Sequence, residues 1–359
     1  MTLNDLDTPT LLVDLDILEA NIERMAGVAR AGGKRLRPHT KTHKTPEIAR
    51  MQAAAGASGF TAAKLGEAEV LADAGIDDIF IANQIVGPLK IARLISLAER
   101  ARIIVAIDSI EAAAPLADAA ERRGIRLAVR IEIDTGLGRA GVRSTAEALA
   151  LAEYVAGRAG LDIEGIFTHE GHLYRAENPA DPARAAAEQM RNVARDLRAA
   201  GIALATVSMG STPGAPLTAR EPGIDELRPG VYVFNDRTQL RLGASPESCA
   251  LTVMATVTSI RSDGRVIVDA GTKSLASDCP FEDRSFGIVL KRPELQFVGA
   301  SEEHGHLQIS DEGSIHVGDR VRIVPNHACT CVNMHDTITA HRGDTVEAVW
   351  AVAGRGRIR

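Results

Sequence analysis

Between residues 35 and 235 the chain alternates short apolar runs with longer amphipathic ones, eight times over, and few folds accept that rhythm. The short runs are "RLRPH", "GFTAA", "DIFIAN", "RIIVAID", "RLAVRIEID", "IEGIFTH", "ATVSMG" and "ELRPGVYVF". Between them lie stretches such as "KLGEAEVLADAG" and "SIEAAAPLADAAERRG", which place apolar residues at helical spacing and end in Gly. Strands alternating with helices pair in parallel through right-handed crossovers. Eight such units predict a closed α/β barrel of the (β/α)8, TIM-like kind. An open doubly wound sheet is the other arrangement the alternation allows.

The flanks read differently. "TPTLLVDLDILEANIERMAGVARAGG" predicts a strand and then a long helix, with Asp16 and Glu19 placed for a capping box. After residue 250 come "LTVMATVTSI", "RVIVDAG", "HLQIS", "SIHVGDRVRIVP", "DTITAHRG" and "DTVEAVWAVAG", β-branched runs separated by Asp-Gly and Arg-Gly turns. They predict a C-terminal all-β domain. We therefore expect a barrel over 12–245, with 1–11 and 246–359 forming the β domain; 359 residues suit two domains at roughly 150 residues each.

The formal net charge of −6 argues against nucleic acid or anionic membrane as a partner. No apolar run approaches the roughly 20 residues of a membrane span. "MTLNDLDTPT" lacks a leader pattern, so a cytoplasmic location is expected. Cys249, Cys279, Cys329 and Cys331 all lie in the last third, where reduced thiols or metal ligands are expected rather than a disulfide framework.

In a barrel of this kind reactive groups sit where strands end. "RLRPHTKTHK" puts Lys41 just past the first barrel strand, where partial desolvation makes an amine a usable nucleophile. A solvated basic loop is the plainer alternative. "FTHEGHLY" supplies His169 and His172, whose imidazoles can stack on a ring or move protons near neutral pH, with Tyr174 after them. Such a pair also serves simply as loop hydrogen bonding. "VSMGSTPGA" and "RPGVYVFND" end the seventh and eighth strands, the usual phosphate position. There Gly210, Ser211 and Thr212 offer N–H and O–H donors, and Gly230 permits close backbone approach. Arg130, within an apolar strand, needs a partner: either a carboxylate or a cofactor it orients.

"VPNHACTCVNMHD" is the sharpest signal in the β domain. As an extended strand it would project His327, Cys329 and Cys331 from one face. Imidazole with thiolate favours a borderline-soft ion such as Zn²⁺, and fewer than four protein ligands leave positions open. Two buried cysteines beside a hydrogen-bonded histidine read equally well.

Together these motifs resemble the fold-type III pyridoxal-phosphate enzymes, and within them the D-threonine aldolase/D-serine dehydratase family, which shares its barrel with alanine racemase. The resemblance covers nearly the whole chain, through "DTPTLLVDL", "RPHTKTHK", "DTGLGRAGV", "THEGHLY", "SMGSTPG", "RPGVYVFND", "VDAGTKSL", "EEHG" and "PNHACTCVNMHD". It implies that Lys41 carries the cofactor's Schiff base, that His169 faces the ring, and that Gly210, Ser211, Thr212, Gly230 and Val231 cradle the phosphate, with Tyr232 beside them. Arg228 matches an arginine that faces the pyridine nitrogen in the racemases, with Tyr174 its rival, and His327 and Cys329 match the metal pair. The resemblance also implies a homodimer.

The branches of the family differ at informative places. In aldolases the metal pair reads His-x-Asp, and a histidine base follows the ring-facing tyrosine by six residues. Here the pair is His-x-Cys, the first position is His169 and the second is Arg175. The expectation is therefore a pyridoxal-phosphate and divalent-metal lyase (zinc, with manganese or another ion as alternatives) acting on a small D-β-hydroxy amino acid. D-serine or D-threonine dehydration, with Lys41, His172 and Tyr174 as catalytic candidates, stands ahead of D-threonine aldol cleavage. A racemase needs a tyrosine from the β domain, and the chain's three tyrosines, Tyr154, Tyr174 and Tyr232, all lie before it. A noncatalytic cofactor carrier is typically a lone barrel.

Overall fold

The computed structural model describes residues 1–280, 282–310 and 315–359. The chain divides into two compact units. One comprises Arg24–Lys41, Ile48–Gly230 and Arg357–Arg359; the other comprises Met1–Glu23, Thr42–Glu47 and Val231–Gly356. Strand β1 (Thr10–Asp14) belongs to the second unit.

The first unit is built on eight parallel strands among the described residues: β2 (Arg35–Leu36), β3 (Phe60–Ala62), β4 (Asp78–Gln84), β5 (Arg102–Ile107), β6 (Leu127–Glu132), β7 (Leu161–Thr168), β8 (Thr206–Met209) and β9 (Glu226–Leu227). They hydrogen-bond in the order β2-β9-β8-β7-β6-β5-β4-β3. The two ends meet through a parallel bridge between His39 and Thr61, with the Thr61 N–H donating to the Pro38 carbonyl at 2.8 Å. The barrel therefore closes, and the open doubly wound sheet is excluded. The last strand is shorter than "ELRPGVYVF" predicts: Pro229 has no N–H for a ladder, and Val231–Val233 form a 3-10 turn instead.

Local signals start and stop the surrounding helices. The Ser109 hydroxyl accepts from the Ala112 N–H to begin Ile110–Arg123, and Gly124 ends that helix in the left-handed region. Ser144 caps Thr145–Ala156 in the same way. The helix Ala180–Ala199 buries Ala183, Ala186, Ala187, Met190, Val193, Ala194 and Leu197, one face at helical spacing. The long helix Leu15–Ala31 differs from expectation at its start. Asp14 Oδ1 accepts from the N–H groups of Asp16 and Ile17, while Asp16 and Glu19 pair with Arg342.

The barrel interior is layered. Phe80, Ile104, Ala106 and Phe167 form a buried cluster, the two rings meeting edge to face at 4.8 Å. Next to it lies a charged layer. Glu226 accepts from Arg37 Nε at 2.8 Å and from Arg130 Nη1 at 2.5 Å, and Arg130 Nε donates to Glu164 at 2.5 Å. Arg130 is fully buried, with its guanidinium 4.7 Å over the Phe80 ring. Of its two expected roles, the carboxylate partner is the one present.

The second unit is a sheet of nine strands among the described residues. It comprises β1 with β10 (Leu251–Ile260), β11 (Arg265–Val268), β12 (Gly287–Val289), β13 (Leu295–Ala300), β14 (Gly305–Ile309), β15 (Arg320–Pro325), β16 (Thr337–Arg342) and β17 (Thr345–Ala351). Its main path runs β13-β14-β11-β10-β1-β16-β17, with β15 joining β10 to β12. Every pair is antiparallel except β1 with β16. Strands β12 and β13 were not among the expected runs, and the first residue of the "SIHVGDRVRIVP" run, Ser314, lies outside the described residues. No helix among the described residues is long and apolar enough to cross a membrane.

Candidate active site

A cavity of about 290 Å³ opens in the barrel unit where its strands end. Lys41 reaches it because the chain leaves β2 at Pro38 and turns through the 3-10 segment Thr40–Thr42. His39 anchors this exit, its N–H donating to the Pro229 carbonyl at 2.9 Å and its Nδ1 lying 3.4 Å from the Lys41 N–H. Burial holds the His39 imidazole well below its ordinary pKa, helped by the positive charges of Lys41 and Arg228.

His169 lines the cavity from the end of β7, with Nδ1 2.6 Å from the Gly210 carbonyl oxygen. Nδ1 is therefore the donor, and Nε2 carries the lone pair in the neutral ring. Burial, with Lys41, brings its pKa down to about 3. Arg228 sits on the cavity wall, with Nη1 donating to Ser208 Oγ at 2.5 Å and Nη2 to the Thr168 carbonyl at 2.6 Å. Its guanidinium lies 5.1 Å from the Phe167 ring centroid. Among the described residues no carboxylate stands in ion-pair reach of it. Burial lowers Arg228 to about 10, which leaves it cationic at neutral pH.

The cavity lining also includes residues that the motifs did not mark, among them Gln84, Glu132 and Arg139. Gln84 Nε2 donates to Glu132 at 2.6 Å, Arg139 stands 3.7 Å away, and burial raises the Glu132 carboxyl. Arg139 is placed by the "DTGLG" loop, in which Asp134 Oδ1 accepts from the Gly136 and Gly138 N–H groups, each at 3.0 Å. The signal was present, since both Glu132 and Arg139 stand in "RIEIDTGLGRAGV".

Gly210 also lines the cavity, and only glycine fits there: a Cβ would stand 2.6 Å from Arg228 Cβ. Ser211 and Thr212 follow, both buried, and the Thr212 hydroxyl has no partner among the described residues. A buried hydroxyl without a partner, beside a glycine loop and near a lysine and an arginine, fits a phosphate-bearing carbonyl cofactor such as pyridoxal phosphate. Gly230 ends the barrel unit, and Val231 and Tyr232 are buried at the start of the other. His172 and Tyr174 lie in the 3-10 turn Gly171–Arg175, half-buried, and do not line the cavity. The His172 ring packs against Gly136, and its Nδ1 is buried without a partner among the described residues. Arg130 lies in the charged layer and likewise does not line it.

In the β unit, residues Ala328–Val332 are helical rather than extended. Residues two apart on a helix point in nearly opposite directions, so the expected shared face of His327, Cys329 and Cys331 does not form. Cys331 is fully buried, donates to the Ser274 carbonyl at 3.2 Å, and has its thiol pKa pushed up by burial. His327 is the N-cap residue of this turn, and its side chain does meet that of Cys329. His327 Nδ1 lies 2.9 Å from Asp278 Oδ2, which leaves Nε2 for a metal. Thr330 donates to the same carboxylate oxygen at 2.5 Å, and Thr42 Oγ1 lies 3.2 Å from Cys329 Sγ. Burial alone would lower the His327 pKa, but the Cys329 sulfur and Asp278 more than reverse this, as expected of an anionic donor set built to face a cation. One nitrogen and one sulfur donor fit a borderline-soft divalent ion. No group of three metal-ligating side chains converges among the described residues.

Two family descriptions match the chain: alanine racemase, N-terminal domain, over 13–238, and putative serine dehydratase domain, over 250–341. A D-threonine aldolase from Arthrobacter sp. is 36% identical over 98% of this chain and 93% of its own length. The D-threonine aldolase of Filomicrobium marinum superposes with a TM-score of 0.94 at 34% identity, covering 99% of this chain and 97% of that one. The D-threo-3-hydroxyaspartate dehydratase of Delftia sp. is 38% identical over 91% of this chain and 92% of its own. Solved structures of a D-threo-3-hydroxyaspartate dehydratase carry alanine for a histidine (TM-score 0.92) and for a cysteine two positions later (TM-score 0.93), the latter in a metal-free form; each is 35% identical and covers 98% of this chain, and 96% and 98% of its own.

Proposed function

The chain belongs to the D-threonine aldolase/D-serine dehydratase family of alanine racemase-like pyridoxal-phosphate enzymes, and on that premise we propose that it is a metal-assisted lyase eliminating water from a small D-β-hydroxy amino acid to give a 2-oxo acid and ammonia. The observation that carries this reading is the His327–Cys329 donor pair. Its His-x-Cys spacing is that of the histidine and cysteine substituted in the structures of D-threo-3-hydroxyaspartate dehydratase.

In this reading Lys41 holds the cofactor, Gly210, Ser211, Thr212, Gly230 and Val231 take its phosphate, and Arg228 and His169 orient its ring. Tyr174 and Tyr232 are assigned to the same cofactor environment by family likeness. The cofactor, when bound, supplies an electron sink for charge at the substrate Cα. His327 and Cys329 would hold a divalent ion, which supplies Lewis acidity toward a hydroxyl leaving group. The sulfur donor favours zinc. Lys41 Nζ is the base that removes the Cα proton. Arg228, cationic and without a carboxylate in ion-pair reach among the described residues, keeps positive charge at the cavity wall. His169, neutral at working pH, offers a flat uncharged face. His172 is proposed as a proton carrier at the loop after β7. A homodimer is proposed from family likeness.

A second reading, cleavage of a D-3-hydroxy amino acid to glycine and an aldehyde, is favoured by the two D-threonine aldolases, one 36% identical and one superposing at 0.94. Product analysis separates the two. Purified enzyme is incubated with D-serine and D-threonine, with and without a chelator. Ammonia and 2-oxo acid support dehydration; glycine and acetaldehyde from D-threonine establish the aldolase. Full activity after metal removal would overturn the role given to His327 and Cys329. An absorbance band near the edge of the visible, lost in Lys41→Ala, tests the cofactor assignment.

A further inference from the structure

Glu170, two residues past the end of β7, is fully buried between His169 and Gly171 in the chain. Its Oε2 accepts from the Gly210 N–H at 2.9 Å, at the first residue of the glycine loop. Its Oε1 faces the last residue of that loop. A methyl group on Gly214 would stand 2.7 Å from Glu170 Oε1 and 2.7 Å from Ser211 Oγ, so both oxygens border the same space. Among the described residues Oε1 is buried without a hydrogen-bond partner, and the Ser211 hydroxyl is one of the groups that act on this carboxyl. Ser211 Oγ already accepts from the Gly214 N–H at 3.1 Å.

This inference rests on the reading of 210–214 as a phosphate loop. A buried carboxylate and a phosphate dianion side by side cannot both stay ionised at low cost. The charge that acts on Glu170 is Arg228, whose guanidinium is bonded to Ser208 and Thr168 rather than to this carboxyl. Burial favours the neutral acid over that pull. A neutral Glu170 can accept from Gly210 through its carbonyl oxygen and donate its proton to Ser211 Oγ. With the Gly214 N–H this fills both lone pairs of the serine oxygen. The serine's own proton then has to point elsewhere, as a donor to a bound anion. An ionised Glu170 would capture that proton instead.

We propose that Glu170 is a positioning residue that acts as a neutral acid beneath the 210–214 loop, sorting the Ser211 proton outward toward the phosphate of the cofactor. Glutamine reproduces this pattern, with its oxygen accepting from Gly210 and its amide donating to Ser211; alanine reproduces none of it.

The test titrates apoprotein with pyridoxal phosphate and with pyridoxal, following absorbance, in wild type, Glu170→Gln and Glu170→Ala. The ratio of the two dissociation constants reads the phosphate contribution. Glu170→Gln is expected to keep that ratio within about threefold of wild type. Glu170→Ala is expected to lose at least tenfold of it with pyridoxal affinity unchanged. A Glu170→Gln ratio that falls tenfold would show that the charge is required and overturn the proposal, and this holds even if the alanine variant fails to fold. An unchanged ratio in Glu170→Ala would overturn it equally. No binding of either aldehyde by wild type would instead sink the proposed function, and this inference with it.

Discussion

Ser208 and Glu226 are joined at 2.7 Å inside the barrel, the serine hydroxyl donating to Oε1 while its oxygen accepts from Arg228 Nη1 at 2.5 Å. One hydroxyl thus links the charged layer to the arginine on the cavity wall. Ser208→Ala leaves a buried guanidinium N–H without a partner, and the cost expected is about 1–3 kcal/mol. Urea unfolding measures it. A variant as stable as wild type would show that Arg228 finds another acceptor.

Glu226 sits between two guanidinium groups. Burial alone would raise its carboxyl, but Arg130 and Arg37 outweigh it and hold the group well below the usual 4.5. A group depressed on folding stabilises above its unfolded pKa, and that stability drains away as pH falls from there toward the folded value. Wild type should therefore lose stability below about pH 4.5 more steeply than Glu226→Gln. At neutral pH the same variant leaves two buried cations short of charge, at a cost of about 3–5 kcal/mol. Denaturant midpoints across the pH range read both effects.

His169 behaves as a second acid-sensitive element in the apoprotein. Its folded pKa, lowered by burial, lies far below the ordinary 6.5, so the unfolded chain takes up its proton first as pH falls. Stability contributed above pH 6.5 is lost as pH drops below it, and His169→Phe should flatten that part of the curve. Midpoints for apoprotein between neutral and mildly acid pH decide it; equal slopes in both proteins would refute the assignment.

Asp278 holds His327 by its Nδ1 at 2.9 Å. Removing such a carboxylate typically weakens metal affinity by about 10–100-fold. Asp278→Ala should show that loss in competition with a chromogenic chelator. Cys329→Ser should lose the ion altogether, and Cys331→Ser should retain it. Retention by Cys329→Ser with loss by Cys331→Ser would reverse the ligand assignment.

Much of this site was legible in the residues. Lys41, His169 and Gly210 stand just past strand ends that periodicity marks, Arg228 was picked out by the family resemblance alone, and all four line one cavity. Glu170 escaped notice because a glutamate between two histidines carries no pattern; its burial and its unsatisfied oxygen exist only once β7 and β8 pair. Asp278 was hidden for the same reason, 49 positions from His327. The "HACTC" segment misled because a period of two and a short helical turn cannot be told apart over five residues. The turn is settled by contacts: Asp236 accepts the Ala328 N–H at 2.8 Å, and Cys331 is drawn to the Ser274 carbonyl.

The sequence by itself determined the barrel and the all-β domain, through local periodicity and Pro and Gly placement, which survive in one dimension. It also marked a basic turn, a glycine loop and a histidine–cysteine cluster as candidates, while the choice of Lys41, and of His327 with Cys329, rested on the family resemblance. Only the tertiary structure decided that Arg130 is spent on carboxylates, that Cys331 is packing, that Glu170 lies buried against the glycine loop, and that Asp278 holds His327. Charge pairing and burial are set by which strands become neighbours, and that information exists only after the chain has folded.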